Sequence, residues 1–294
     1  MIWRKSLVIF VGSFCLFGAG YGIDFREADY YFANRGKVGE ERFHMEQAQI
    51  AYKKILRQDG LNNSDKVRAI TQLARLAIFK GDKFHGKESP EDIEQRRKIF
   101  KECWDGFMKE LNPTSKSGSE RGDKVYGKAT PFPVETPNFF YYSATCLGLY
   151  GEVSGTAENL INIPYLNWLI AKGLKQDLRF QGGGILRILA GIRASKKAQR
   201  LGMYDPGESL VLINKAINTP PYPGTSLRGT DYCENYIRKA LTLRELSKKS
   251  EAKTLIRETI ELINEWEDFD ELPEGLEPET KACRQDLGEI LDTL

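Results

Sequence analysis

The chain has 294 residues, which is enough for one large domain or two ordinary ones with a buried core. Charged residues make up 29% and hydrophobic residues 41%, a composition that excludes both a disordered chain and a membrane-embedded one. The formal charge of +2 comes from Arg4 and Lys5, so residues 23–294 are neutral overall. A neutral body argues against nucleic-acid binding, which needs a basic face to meet phosphates.

The first 22 residues have the pattern of a secretory signal. Two basic residues precede an apolar run at 6–17, and small residues follow at 18–22. The apolar run is short for a membrane span. Cys15 lies inside this run behind bulky Phe14, so we do not expect a lipoprotein. We predict that residues 1–22 are a cleaved signal peptide and that the protein is periplasmic or secreted; an uncleaved signal anchor is the alternative.

Export changes what the cysteines imply. Four remain after the signal segment: Cys103, Cys146, Cys233 and Cys283. An oxidising compartment permits disulfides, and the sequential pairing of Cys103 with Cys146 and of Cys233 with Cys283 would link neighbouring helices. The alternative is four buried free thiols, which pack as small hydrophobes. No cysteine or histidine spacing typical of zinc is present, so we predict no metal site.

Apolar residues recur at spacings of three and four through most of the body, which predicts helices nearly throughout. The pairs Ser89-Pro90 and Asp205-Pro206 place a capping side chain before a proline, as at many helix starts. In chain order, the predicted helices cover 25–36, 43–58, 65–80, 90–111, 138–151, 156–177, 184–201, 206–218, 229–247, 250–268 and 278–292.

One long segment interrupts the helical pattern. Residues 112–137 are rich in proline, glycine and serine. A connection of this length inside a compact helical protein is either disordered or functional. We therefore predict a single helical-repeat domain over 23–294, with a long loop at 112–137 and a C-terminal capping helix at 278–292.

A recurring offset of small and bulky residues resembles the tetratricopeptide repeat, which pairs two helices in about 34 residues. In the second helix of such a repeat, a small residue is followed by a bulky one four positions later and by another small one three beyond that. The matching sets are Ser209, Ile213 and Ala216, then Ala252, Ile256 and Thr259, and less fully Ala48, Tyr52 and Ile55. The predicted fold is all-α, with tetratricopeptide-like helical hairpins stacked as an α-solenoid or a compact helical bundle.

Three local patterns resemble the T-component of TRAP (tripartite ATP-independent periplasmic) transporters, an exported tetratricopeptide-like family. They are the aromatic-rich helix at 137–151, the helix containing 165–168, and the glycine-led helix at 182–191. The resemblance covers residues 25–290. It implies a periplasmic protein that partners a solute-binding protein, offers a concave surface to a small apolar or organic-acid ligand, and is compatible with a homo-oligomer. Members are often lipid-anchored, and this chain departs from them in lacking a lipobox.

Candidate ligand-binding residues lie in these three patterns. The aromatic residues would either line a cleft or pack into the core, and the asparagines would orient a ligand or cap the backbone. Bare amides at a glycine-led helix start, with a guanidinium nearby, would bind a carboxylate or phosphate; alternatively, the glycines give a tight turn and close helix packing. The full set is Asn138, Tyr141, Tyr142, Tyr165, Asn167, Trp168, Arg179, Gly183 and Arg187.

No catalytic constellation is recognisable. His44 and His85 belong to no metal or nucleophile motif, and a single histidine on a surface helix is expected to be solvated. We therefore predict a binding protein without cofactor or enzymatic activity, an accessory of a TRAP-type system. The alternatives are an exported all-helical enzyme, such as a polysaccharide lyase with paired carboxylates in a cleft, and a structural envelope scaffold without a ligand.

Overall fold

A computed structural model describes residues 23–83, 89–111 and 136–294. The predicted signal peptide at 1–22, most of the predicted loop at 112–137, and His85 lie outside the described residues.

The described part of the chain is helical and contains no β-strand, so the all-α prediction is confirmed. Two short 3-10 helices, Lys196–Leu201 and Gly229–Asp231, interrupt the series of α-helices. No helix in the described ranges has both the length and the apolar character needed to cross a bilayer. The α-helices are α1 (Arg26–Ala33), α2 (Glu41–Leu56), α3 (Asn63–Lys83), α4 (Pro90–Leu111), α5 (Pro137–Val153), α6 (Thr156–Gly173), α7 (Gly184–Ala194), α8 (Pro206–Ile217), α9 (Cys233–Glu245), α10 (Lys249–Asp268) and α11 (Glu277–Thr293).

Three helices begin at a proline behind a capping side chain. The Ser89 hydroxyl accepts a hydrogen bond from the amide of Asp92 at 3.0 Å, and the Asp205 carboxylate accepts one from Glu208 at 2.9 Å. Thr136 caps α5 in the same way, so that helix begins one residue inside the predicted loop. These caps satisfy amides that have no partner within the helix, which fixes where each helix starts.

Two predicted helices are each divided in the structure. The predicted helix 184–201 ends as an α-helix at Ala194, because Ser195 is extended (φ −80°, ψ 121°) and a 3-10 helix follows. The predicted helix 229–247 begins as a 3-10 helix, and the extended Tyr232 (φ −95°, ψ 99°) separates it from α9. A single extended residue hardly disturbs the apolar spacing, so sequence periodicity missed both breaks.

The order of packing follows the order of the chain. Nearly every helix packs closely against the next one, and α3, α5, α7, α9 and α11 also pack each against the following member of that set. We call these five helices the odd row. The even-numbered helices in the described ranges make no comparable contacts with one another. The odd row is therefore a continuous layer, and each even-numbered helix covers it from outside.

The core consists of three apolar clusters along the chain. One joins α1 to α3 and contains Phe32 and Tyr52, and the largest joins α3 to α8 and contains Phe107 and Phe140. The third joins α9 to α11 around Ile256. Burial of large apolar side chains stabilises each cluster by about 1.5–3 kcal/mol per side chain.

The small-bulky offsets all fall on even-numbered helices, namely α2, α8 and α10. All of their residues are buried, including the polar Ser209. The Ser209 hydroxyl lies 2.8 Å from the carbonyl of Ala190 on α7 and 2.8 Å from the hydroxyl of Thr242 on α9. On α8 the offset therefore marks the helix face that packs against α7 and α9 of the odd row.

Two disulfides connect the helices, and they have the sequential pairing. Cys103 of α4 is bonded to Cys146 of α5, and Cys233 of α9 is bonded to Cys283 of α11. The bonded residues are 43 and 50 positions apart. Loops of this length lose enough conformational entropy in the unfolded chain for each bond to stabilise the fold by about 4 kcal/mol.

Candidate functional site

The odd row brings polar side chains from all five of its helices into one region. We call it the central cluster: Arg75 of α3, Tyr142 of α5, Arg187 of α7, Tyr232 at the start of α9, and Glu279 of α11. The pKa of Tyr142 is affected by Arg75, Tyr232 and Glu279, and that of Tyr232 by Arg187 and Arg75. Residues far apart in sequence therefore share one electrostatic environment.

The guanidinium of Arg187 is held by hydrogen bonds to uncharged acceptors. Its side chain is buried, and it donates hydrogen bonds to the Asn235 amide oxygen at 2.8 Å, the Tyr141 hydroxyl at 2.9 Å and the Gln181 carbonyl at 3.3 Å. No carboxylate of the described residues lies within ion-pair distance of it. Burial lowers the pKa of Arg187, but the neighbouring Tyr141 and Glu234 outweigh it, so the pKa is raised and the guanidinium stays charged.

Asn235 organises this part of the cluster, and sequence analysis missed it. Its side chain is fully buried, and its amide donates hydrogen bonds to the carbonyls of Gly182 at 2.9 Å and Gly229 at 2.8 Å. It therefore links the turns that precede α7 and α9. The available signal was an asparagine on the apolar face of a predicted helix, since buried polar side chains are normally hydrogen-bonded.

The glycines before α7 have a structural role. Gly183 has a φ of +78°, and a Cβ added there would lie 2.6 Å from the Cα of Ala216 on α8. A Cβ on Gly182 would overlap the ring of Tyr232. Both residues are buried. Ala216 and Tyr232 fill the space next to these glycines, which leaves no room for an anion at Gly183. The glycines therefore fit the second alternative, a tight turn with close helix packing.

A buried ion pair joins the two ends of the described chain. Arg35, just after α1, is 3% exposed, and its Nη2 donates to both carboxylate oxygens of Glu279 at 2.5 and 2.7 Å. Beside this pair, a Cβ on Gly36 would lie 2.5 Å from the Cγ of Pro278. The segment just after α1 and the start of α11 therefore meet at one edge of the central cluster.

Arg75 has weaker partners than the other arginines of this region. Its Nη2 lies 4.0 Å from Glu279, and its Nη1 makes a long hydrogen bond of 3.4 Å to Gln72. Its guanidinium stacks on the Phe32 ring at 4.6 Å from the centroid. The side chain is 23% exposed, so solvent reaches this end of the cluster.

Two tyrosines of the central cluster have hydroxyls without a hydrogen-bond partner in the described chain. They are Tyr142 and Tyr232. Burial raises the pKa of Tyr142 well above its ordinary value, and it raises the pKa of Tyr232 to about 12. Both phenols are therefore neutral hydrogen-bond donors at physiological pH.

Neither a known family model nor a curated protein matches this chain. The resemblance to the TRAP T-component therefore remains a prediction.

The predicted ligand residues on α6 do not contribute to the central cluster in the contacts observed. Tyr165 is buried against Trp104, with ring centroids 6.2 Å apart, and Trp168 packs edge-on against Phe140 at 5.9 Å. Asn167 points to solvent. Tyr165 and Trp168 thus follow the core-packing interpretation.

The remaining predicted residues lie around the start of α5 and the turn before α7. Asn138 is half-buried in the first turn of α5. Arg179 forms an ion pair with Asp177 at 2.6 Å and is 40% exposed, so its guanidinium already has a partner. Tyr141, with Phe180, lines a small depression beside the cluster. Of the nine predicted residues, three come together in or beside the central cluster: Tyr141, Tyr142 and Arg187.

The prediction that His44 is solvated was wrong. Its side chain is 4% exposed, and its Nε2 lies 3.1 Å from a carboxylate oxygen of Glu40. The rings of Tyr30, Tyr31 and Phe43 surround it, with centroids 5.4–6.3 Å away. Packing of α1 against the first turn of α2 buries a position that local sequence could not distinguish from an exposed one.

No cluster of three potential metal ligands occurs among the residues that the structure describes. The central cluster offers positive charge and neutral hydroxyl donors. Groups of this kind bind anions, since they combine charge attraction with directed hydrogen bonds.

Proposed function

We propose that the chain is an exported helical-repeat binding protein, an accessory of a TRAP-type transport system that binds a solute-binding protein and a small organic ligand. The observation that carries the proposal is the odd row, a continuous layer of five helices whose side chains converge on one polar cluster.

The packing order supports a repeat architecture. In tetratricopeptide-like hairpins, stacking of successive units buries a face that one unit cannot bury alone. Here the residues at the small-bulky offset are buried on α2, α8 and α10, the second helix of each proposed hairpin. The first helices are then members of the odd row or, at the N-terminal end, α1. This arrangement is the one expected for a solenoid with its first helices on the binding side.

The cysteine chemistry supports export. Four cysteines of the described chain form two disulfides, and stable structural disulfides are characteristic of oxidising compartments. This agrees with the basic, apolar and small-residue order of residues 1–22. Both features favour a periplasmic or secreted protein.

The test is capture of partners from the cell envelope. The chain is expressed with its N-terminal segment, recovered after export with a C-terminal affinity tag, and used as bait against a periplasmic extract. We expect a solute-binding protein to be retained and identified by mass spectrometry. Bait unfolded in urea and immobilised on the same resin is the control for nonspecific retention. If a bait with a helical circular dichroism spectrum retains no solute-binding protein, the transport-accessory proposal is wrong.

A further inference from the structure

We propose that the contact between the α1–α2 turn and the start of α11 is a clasp that opens while the rest of the fold stays intact. The clasp consists of Arg35 and Gly36 on one side and of Pro278 and Glu279 on the other. Its opening gives a binding partner access to the edge of the central cluster. This regulatory role rests on the proposed binding function, whereas the opening itself does not.

The odd row closes on itself at this point. Each of its helices packs closely against the next, from α3 to α11, but α11 makes no comparable contact with α1, α2 or α3. The two ends of the row nevertheless approach each other, since Nη2 of Arg75 on α3 lies 4.0 Å from a carboxylate oxygen of Glu279 on α11. The row is therefore a nearly closed ring of helices, and its closing contact differs from the others.

The closing contact is polar and narrow. Nη2 of Arg35 donates to both carboxylate oxygens of Glu279 at 2.5 and 2.7 Å, and it lies 3.5 Å from the carbonyl oxygen of Gly275. None of the three apolar clusters of the described chain includes residues from both sides, since the N-terminal cluster ends at Phe79 and the C-terminal one begins at Cys233. Neither disulfide crosses the contact. Opening it therefore leaves all three clusters intact, and burial of apolar surface is what resists separation elsewhere in the fold.

Each side of the clasp is held by its own part of the molecule. Arg35 donates to the carbonyl of Phe32 at 3.0 Å, and its guanidinium lies 4.3 Å from the centroid of the Phe32 ring, so it stays with the N-terminal cluster. On the other side, the disulfide between Cys233 and Cys283 ties α11 to α9. Glu279 lies one helical turn before Cys283. Separation therefore occurs between the two sides and not within either of them.

The energetics of a buried ion pair suit a reversible contact. Arg35 is 3% exposed in the closed state, and the side chain of Glu279 is 22% exposed. Both charges lose hydration when the clasp closes, and the attraction between them offsets much of that loss. Opening loses the attraction but restores the hydration, so separation here costs less than separation of two apolar faces. A partner that binds better to the open state then shifts the population toward it.

Distances between nitroxide labels measure the opening. The full exported chain carries Lys37→Cys and Glu274→Cys, two exposed positions beside the clasp. The four cysteines of the described chain are bonded to one another, so the labels react at these two positions. Pulsed electron paramagnetic resonance should show mainly one short distance. Adding Glu279→Gln should increase the ratio of longer to short distances at least about tenfold, because closure would leave Arg35 buried without a counter-charge.

Matched controls make the result specific to the clasp. Glu289→Gln, at an exposed position of the same helix, should leave the distances unchanged. Arg35→Lys keeps the charge and loses the planar fork, so its open population should lie between those of wild type and Glu279→Gln. A second label pair, Lys37→Cys with Lys53→Cys, lies wholly on the N-terminal side and should keep its distance. A changed distance in this second pair would mean unfolding instead of opening, and a short distance retained by the first pair in Glu279→Gln would mean no opening; either result overturns the clasp.

The double variant Lys37→Cys with Glu274→Cys, without nitroxides, tests whether a partner enters through the clasp. One sample is cross-linked across the clasp with a short bismaleimide, and its control carries N-ethylmaleimide at both positions. In the partner-capture assay the cross-linked bait should lose its solute-binding protein, because the open state is no longer populated. Equal capture by both baits would overturn the regulatory role of the clasp. If neither bait captures a solute-binding protein, the transport-accessory proposal fails, and the nitroxide distances alone decide whether the clasp opens.

Discussion

Arg35 and Arg187 are both almost fully buried, yet the molecule stabilises them in different ways. At the edge where the chain ends meet, a carboxylate of Glu279 neutralises Arg35. In the middle of the odd row, Arg187 is held by the neutral Asn235 and Tyr141. The comparison shows that neutral hydrogen-bond acceptors can hold a buried guanidinium, whereas at the chain ends a carboxylate from a distant part of the sequence does so.

The apolar clusters explain this difference. The helices around Arg187 share one large cluster from α3 to α8, whereas Arg35 and Glu279 lie beside two different clusters at the N- and C-terminal ends. One continuous apolar cluster therefore spans the middle of the molecule. The meeting of the ends depends more on the ion pair and on the close contact of Gly36 with Pro278.

The largest effect should come from breaking the ion pair between the chain ends. Glu279→Gln leaves the buried Arg35 without a counter-charge, and we expect it to lower the free energy of unfolding by about 3–5 kcal/mol. Urea denaturation followed by circular dichroism measures this. Glu289→Gln, at an exposed position of the same helix, should change stability by less than about 0.5 kcal/mol. Equal effects of the two substitutions would contradict a joining role for Glu279.

The turn that positions Arg187 and Asn235 should be nearly as sensitive. Gly183→Ala combines an unfavourable positive φ with overlap against Ala216, and we expect a loss of about 2–4 kcal/mol in the free energy of unfolding. Gly224 also has a positive φ, of +85°, but nothing lies within 4 Å of an added Cβ. Gly224→Ala should therefore cost only about 1 kcal/mol. A cost for Gly183→Ala no larger than this would show that α7 and α8 can move apart.

The free energy of unfolding should fall at alkaline pH because the buried Tyr232 loses its proton. Burial raises its pKa from 10 to about 12 in the folded state, so the folded protein holds this proton more tightly than the unfolded chain. The resulting stabilisation, about 2–3 kcal/mol, is fully present below pH 10 and is lost as the pH rises through 12. Denaturation of wild type and Tyr232→Phe at pH 9 and pH 12 measures it. Between pH 9 and pH 12, wild type should lose about 2–3 kcal/mol more stability than Tyr232→Phe. An equal loss in both proteins would contradict the role of Tyr232.

The smallest effect on stability is expected for Arg75. It is partly exposed and has only long contacts, so Arg75→Gln should change the free energy of unfolding by less than about 1 kcal/mol. Arg35→Gln, which removes the paired arginine beside it, should cost several times more. Thermal and urea unfolding of the two variants distinguish an arginine that the fold does not require from a structural one. Similar losses for both would assign Arg75 to the fold.

The local parts of this structure were largely predictable from sequence. Apolar spacing placed the helices, and the capping residues Ser89 and Asp205 fixed two of their starts, since both signals act within one or two helical turns. The small-bulky offsets identified residues that are indeed buried, such as Ile213 and Ile256. Sequence also supplied three residues around the central cluster through the aromatic and arginine patterns of α5 and α7.

Only the tertiary structure decided which polar residues meet. Arg35 and Glu279 are 244 positions apart, and nothing near either residue indicates the other. Asn235 and Arg75 each lie on a helix with many polar residues, and a local pattern does not tell which of them faces the odd row. The same limit hid the burial of His44, and it left open whether Tyr165 lines a cleft or packs into the core. Helix formation is determined by neighbours in sequence, whereas the environment of a polar side chain is determined by whichever distant helix packs against it.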